Sequence, residues 1–124
     1  MTSLVKKLAM TTALFAAPML VATQALAEGE RYVLVSHAPD SDSCWNTVKN
    51  GIKLAGDQMG VAVEHTNPPS GDIADMVRLI DQAAASKPDG IITTLADFDV
   101  LKGPFRVAVD QGIDVIIMNT GTPE

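Results

Sequence analysis

The chain has 124 residues, enough for one small domain. Apolar residues make up 47% and charged residues 19%, which fits neither a disordered chain nor a membrane bundle. The net charge of −6 argues against nucleic-acid partners, because a phosphate backbone selects a basic face.

Residues 1–27 read as a secretory signal. Lys6 and Lys7 form a positive start, "LAMTTALFAAPMLVA" an apolar run, and Ala25 and Ala27 an A-x-A cut site. The run from Leu8 to Ala22 is short for a membrane span, which needs about 20 residues. The alternative is a retained N-terminal anchor helix. Cleavage is expected after Ala27, leaving residues 28–124 as the exported part. Without Lys6 and Lys7, seven basic residues stand against 15 acidic ones, a net charge of −8. Cys44 is the only cysteine, so no internal disulfide is expected and the fold must stand on its core.

The rest alternates between two periodicities. "RYVLVSH" (Arg31 to His37) has the β-branched, apolar character of a strand buried on both faces. Trp45, Val48, Ile52, Ala55 and Met59 then recur at spacings of three and four, one face of a helix. Ser43 is the expected N-cap of that helix and Gly60 its stop. A short strand follows at Val61 to His65. "TNPPSGD" is a loop, and Asp72 caps a helix to about Ser86, with Ile73, Met76, Val77, Ile80 and Ala84 inward. "GIITTLA" (Gly90 to Ala96) is the third strand. "DFDVLKG" reads as a loop or short turn, with a third helix starting at Gly103 and Pro104 and ending at Gly112. "IDVIIMN" (Ile113 to Asn119) is the fourth strand.

Strand and helix in alternation, at a period of about 30 residues, specify an α/β fold: a parallel sheet with helices on both faces. Ligands gather at the carboxyl ends of the strands in such sheets. Three loops leave those ends: Ser36 to Trp45, "ADFD" and "NTGT". They hold the most concentrated polar groups of the chain.

Several chemistries fail on the residues. Ser36, His37 and Asp40 suggest a triad, but neighbours on a strand point to opposite faces, and no G-x-S-x-G elbow is present. "DSD" at Asp40 and Asp42 starts like a calcium loop, but Trp45 stands where glycine is needed and Gly51 where glutamate is needed. No Cys/His spacing suits a metal, and no glycine-rich loop suits a nucleotide, so no cofactor is expected.

An aromatic ring, carboxylates and an amide remain. A tryptophan face suits the C–H patch of a sugar or polyol, carboxylates accept from hydroxyls, and an amide such as Asn119 donates and accepts. The candidate ligand-binding residues are His37, Asp40, Asp42, Cys44, Trp45, Asp97 and Asn119. Each has a plainer reading. Trp45 can anchor the core, Asp40, Asp42 and Asp97 can serve turns and caps, and His37 can be a hydrogen-bonded strand end. Asp72 with Asp75 reads as a solvated first turn, and Tyr32 and His65 carry no pattern that assigns them a role.

The phrases "YVLVSHAPDSDSCWNTVKNGIKLAGDQMGV", "DIADMVRLIDQAAASKPDGIITTLAD" and "AVDQGIDVIIMNTGT" resemble the N-terminal part of the periplasmic sugar-binding proteins of ABC importers, the ribose- and galactose-binding type. The resemblance implies a Rossmann-like lobe, here incomplete, of a type 1 periplasmic binding protein. It implies a non-enzymatic, monomeric component in the periplasm that delivers a monosaccharide or sugar alcohol to a membrane permease. It places the family's stacking aromatic pair on Cys44 and Trp45, so that only Trp45 can stack, and the family's hydroxyl-binding aspartate on Asp97. The loop after the fourth strand carries Asn119 without the "DR" of the ribose type, and "HAPDSDS" differs from the usual "NNPF". Members have two lobes joined by a hinge, and this chain covers part of one, which implies a fragment or truncated form or else an unusual single-lobe protein. Two other classes share the fold: the effector-binding core of a sugar-responsive regulator, and a small flavodoxin-like enzyme.

Overall fold

A computed structural model describes residues 29–119. Residues 1–28, which include the expected signal segment, and the residues after Asn119 lie outside the described residues. Seven elements follow in order: β1 (Arg31–Val35), α1 (Ser43–Met59), β2 (Ala62–Thr66), α2 (Ile73–Ala85), β3 (Gly90–Thr93), α3 (Phe98–Asp110) and β4 (Asp114–Ile117). The strands form one parallel sheet in the order β2-β1-β3-β4, the α/β arrangement that the alternation specifies.

Side-chain alternation along β1 sorts the two faces. Val33 and Val35 join Ile91 of β3 in packing against Met76, Ile80, Ala83 and Ala84 of α2 and Leu101, Phe105 and Ala108 of α3. Leu34 points the other way, into a smaller cluster with Ala38 and Trp45, flanked by Val48, Ile52, Ile92 and Met118. Helix α1 thus covers one face alone, and α2 and α3 share the other.

Helix α1 differs in two respects from its sequence reading. Its N-cap is Asp42, whose Oδ1 accepts from the Cys44 amide at 2.9 Å, and Ser43 is the first helical residue. The inward stripe runs Trp45, Val48, Ile52 and then Gly56, not Ala55 and Met59. Ala55 is exposed and Met59 is 73% exposed. The physical reason is close packing on β2. A Cβ at Gly56 would lie 2.9 Å from the Val61 carbonyl oxygen and 3.1 Å from Val63, so only glycine lets the helix approach this closely. Gly60 ends the helix with φ of 71°, as its position suggests.

Helix α3 corrects a larger error. The segment "DFDVLKG" is helical from Phe98, and Pro104 sits inside the helix rather than at its start. Asp97 caps it by accepting from the Val100 amide at 3.1 Å. Leu101, Phe105 and Ala108 then form the buried stripe. The lost Pro104 donor costs one intrahelical bond, and the stripe and cap outweigh it.

Helix α2 follows its pattern closely, with Asp72 accepting from the amides of Ala74 and Asp75. Strand β4 is an edge among the described residues. Its Val115 packs on the core, while Ile116 is 59% and Ile117 46% exposed.

Candidate functional site

The chain leaves β1 toward α1 on one face and β3 toward α3 on the other. Two adjacent parallel strands therefore send their loops apart, which opens a crevice at their carboxyl ends. The β1–α1 loop (residues 36–42) and the β3–α3 loop (residues 94–97) border it.

The two loops are tied across this gap. The His37 amide donates to Thr94 Oγ1 at 3.0 Å, and His37 Nδ1 lies 2.9 Å from the same oxygen. Thr94 is fully buried, and its own amide donates to the Val35 carbonyl at 3.3 Å. A single hydroxyl thus holds the half-buried His37 at the crevice.

Below this tie the rings pack on one another. Trp45 meets His37 edge-on, with centroids 5.7 Å apart and planes at 83°. Its other neighbour is His65 of β2, stacked at 6.4 Å and 12°. Trp45 is only 5% exposed, the core position among its two sequence readings. His65 Nε2 is 2.8 Å from Ser36 Oγ. Burial lowers the His65 pKa below its ordinary value, Lys49 lowers it further, and Asp40 opposes both.

The acidic candidates have structural partners. Asp40 Oδ1 accepts from Asn67 Nδ2 at 2.9 Å, and the same amide nitrogen donates to the Ala38 carbonyl at 3.0 Å. Asn67 therefore pins the β1–α1 loop to the loop after β2. Asp42 and Asp97 cap α1 and α3. A carboxylate has two oxygens, so a cap formed through Oδ1 leaves the other available to a ligand hydroxyl. Cys44 is exposed on the first turn of α1. Asn119 is exposed beyond β4, in the left-handed region at φ of 70°.

Ser36 and His37 take different partners, as their positions on a strand require. Ser36 is fully buried, which withholds its hydroxyl from any substrate. Among the described residues no group of three or more His, Cys, Asp or Glu side chains could hold a metal ion. Among them, too, no helix is long and apolar enough to cross a membrane.

A periplasmic binding protein domain matches residues 32–124, three quarters of the chain. The chain belongs to the periplasmic binding protein family. Solved structures agree. A glucose-galactose binding protein from Geobacillus stearothermophilus is 31% identical, with a TM-score of 0.72 over 77% of this chain and 34% of that one. A carbohydrate transporter from Acidothermus cellulolyticus, solved in complex with myo-inositol, is 28% identical, with a TM-score of 0.70 over 75% and 32%. A periplasmic sugar binding protein of an ABC sugar transporter from Legionella pneumophila is 27% identical, with a TM-score of 0.72 over 77% and 35%. The chain thus spans about a third of the length of these proteins. Among curated proteins none matches it.

This family's fold explains the crevice, and the geometry adds two residues that the sequence reading missed. Thr94 ties the loops, and His65 stacks on Trp45. A signal for His65 existed: two residues of alternation separate it from Val63, on the strand face turned to α1. Its meaning depended on the register that sets it beside Leu34 of β1.

Proposed function

We propose that the chain forms the first lobe of the substrate-binding component of an ABC importer for a monosaccharide or sugar alcohol. The crevice supports this reading, because its two bordering loops carry the imidazole of His37 and the carboxylates of Asp40, Asp42 and Asp97. These groups suit a neutral ligand with many hydroxyls, since each can accept or donate without a matching ligand charge. His37, Asp97 and Asn119 are the contacting residues in this proposal. Asp40, Asp42 and Cys44 line the approach, and Trp45 supports His37 from below. The ligand is enclosed by a second lobe, and the closed form is delivered to a membrane permease. Residues 1–27 direct export and are then removed, so the periplasmic protein begins at Glu28, and mass spectrometry reads that terminus directly. No catalytic step is assigned, because the buried Ser36 cannot reach a substrate.

A single lobe contacts one side of a ligand, so its own affinity lies in the millimolar range, about −4 kcal/mol. Titration of isotope-labelled full chain with galactose, ribose and myo-inositol, followed by NMR, tests the reading. Saturable shifts confined to His37, Asp97, Asn119 and their neighbours support it. Spectra unmoved by all three compounds would sink it.

A further inference from the structure

Five side chains from the two central strand ends, the edge strand and helix α1 form one connected line. It runs Ser36, His65, Trp45, His37, Thr94, through a 2.8 Å polar contact, a stacked pair, an edge-on pair and a 2.9 Å polar contact. Both terminal hydroxyls are fully buried. The line crosses beneath the first turn of α1, from the outer strand β2 to the crevice.

We propose that His65 is a positioning residue for the ligand-facing loop: through Trp45 it fixes the His37 imidazole, so that protonating His65 changes how His37 is presented in the crevice. The ligand half of this statement rests on the binding reading above, and the coupling between the two histidines does not.

Two features support the coupling. Trp45 has little freedom, because Leu34, Ala38, Val48 and Ile52 pack beside it. Its two ring neighbours are the only histidines in the chain. A change at one imidazole therefore has a short, packed route to the other. The charges around His65 are Lys49 on α1 and Asp40 in the β1–α1 loop, and His37 is the titratable group across Trp45. Burial and Lys49 disfavour the imidazolium, so the ring is neutral near pH 7. Adding a proton makes both ring nitrogens donors. Ser36 Oγ must then serve as acceptor, while its amide stays bonded to the Thr66 carbonyl at 3.1 Å.

The composition makes the test direct, since the chain has one tryptophan and two histidines. Trp45 emission and the imidazole NMR signals of the full chain are followed from neutral to acid pH. The expected result is an inflection below pH 6.5 in Trp45 emission, quenched by the stacked imidazolium. The same inflection appears in the His37 signals. His65→Gln removes the shared inflection, and His37→Gln leaves it in Trp45. Should His65→Gln fail to fold, His65→Phe keeps the stacked ring without the proton and gives the same readout. His37 signals blind to the His65 midpoint, or a Trp45 inflection that survives when both histidines are replaced by Gln, would overturn the coupling. Repeating the myo-inositol and galactose titrations above and below that midpoint tests the ligand half. A several-fold change in affinity for the wild type, absent in His65→Gln, supports it. Coupled histidines with no sugar bound at either pH overturn the binding reading and the positioning role with it. Sugar binding without coupled histidines overturns the coupling alone.

Discussion

The two faces of the sheet solve the same problem differently. The α2/α3 face is closed by aliphatic side chains and Phe105, with twelve buried residues in one cluster. The apolar cluster on the α1 face has three buried residues, one of them Trp45, and that face mixes its packing with hydrogen-bonded imidazole and hydroxyl groups. Among the described residues its β4 end is uncovered, with Ile116 at 59% exposure. Two helices over two strands can exclude water without polar help. One helix can cover only the strands beneath it, so the α1 face relies on a single large ring. That ring also touches His37 at the crevice, which joins the less complete face to the proposed site.

The largest expected effects come from the centre of each face. Trp45→Ala should destabilise by about 3–5 kcal/mol and Leu101→Ala by about 2–5 kcal/mol, measured by chemical denaturation. If Trp45→Ala costs less than 1 kcal/mol, the α1 face does not depend on its ring and the comparison fails.

Caps come next. Asp97→Ala should cost about 1 kcal/mol, because it frees the Val100 amide, while Asp97→Asn should cost far less, since asparagine caps equally well. The asparagine variant separates capping from binding: retained stability with lost sugar-dependent shifts assigns the carboxylate to the ligand.

The open end of the α1 face predicts association rather than instability. An apolar edge strand is a template for pairing. Ile116→Lys should leave stability within about 0.5 kcal/mol, yet shift the full chain toward later elution in size-exclusion chromatography. Identical elution of wild type and variant would show that β4 is not a contact between copies.

The smallest effect is a pH dependence particular to the α1 face. The folded-state pKa of His65 lies below the ordinary 6.5, so the unfolded chain takes up the proton first as pH falls. Stability from this group is full above about pH 6.5 and is lost as pH drops toward the folded-state value. His65→Gln should flatten this slope in denaturation midpoints, with Asp and Glu residues governing the decline at lower pH. A slope unchanged in the variant would place the effect elsewhere.

The sequence by itself determined the four strands, the three helices and the parallel sheet, because apolar periodicity and caps such as Asp72 and Gly60 act over a few residues. It also pointed to the crevice, since polar residues concentrate after β1 and β3. It misplaced the start of α3, because the glycine and proline of "GPF" are strong local signals that the Asp97 cap and the Leu101–Phe105 packing override. Only the tertiary structure decided that α1 turns Gly56 rather than Ala55 and Met59 inward, since that depends on how near β2 lies. Only it could join His65 to Trp45 and Thr94 to His37. Those partners are 20 and 57 residues apart in the chain, brought together by strand register and by loops that diverge from neighbouring strands.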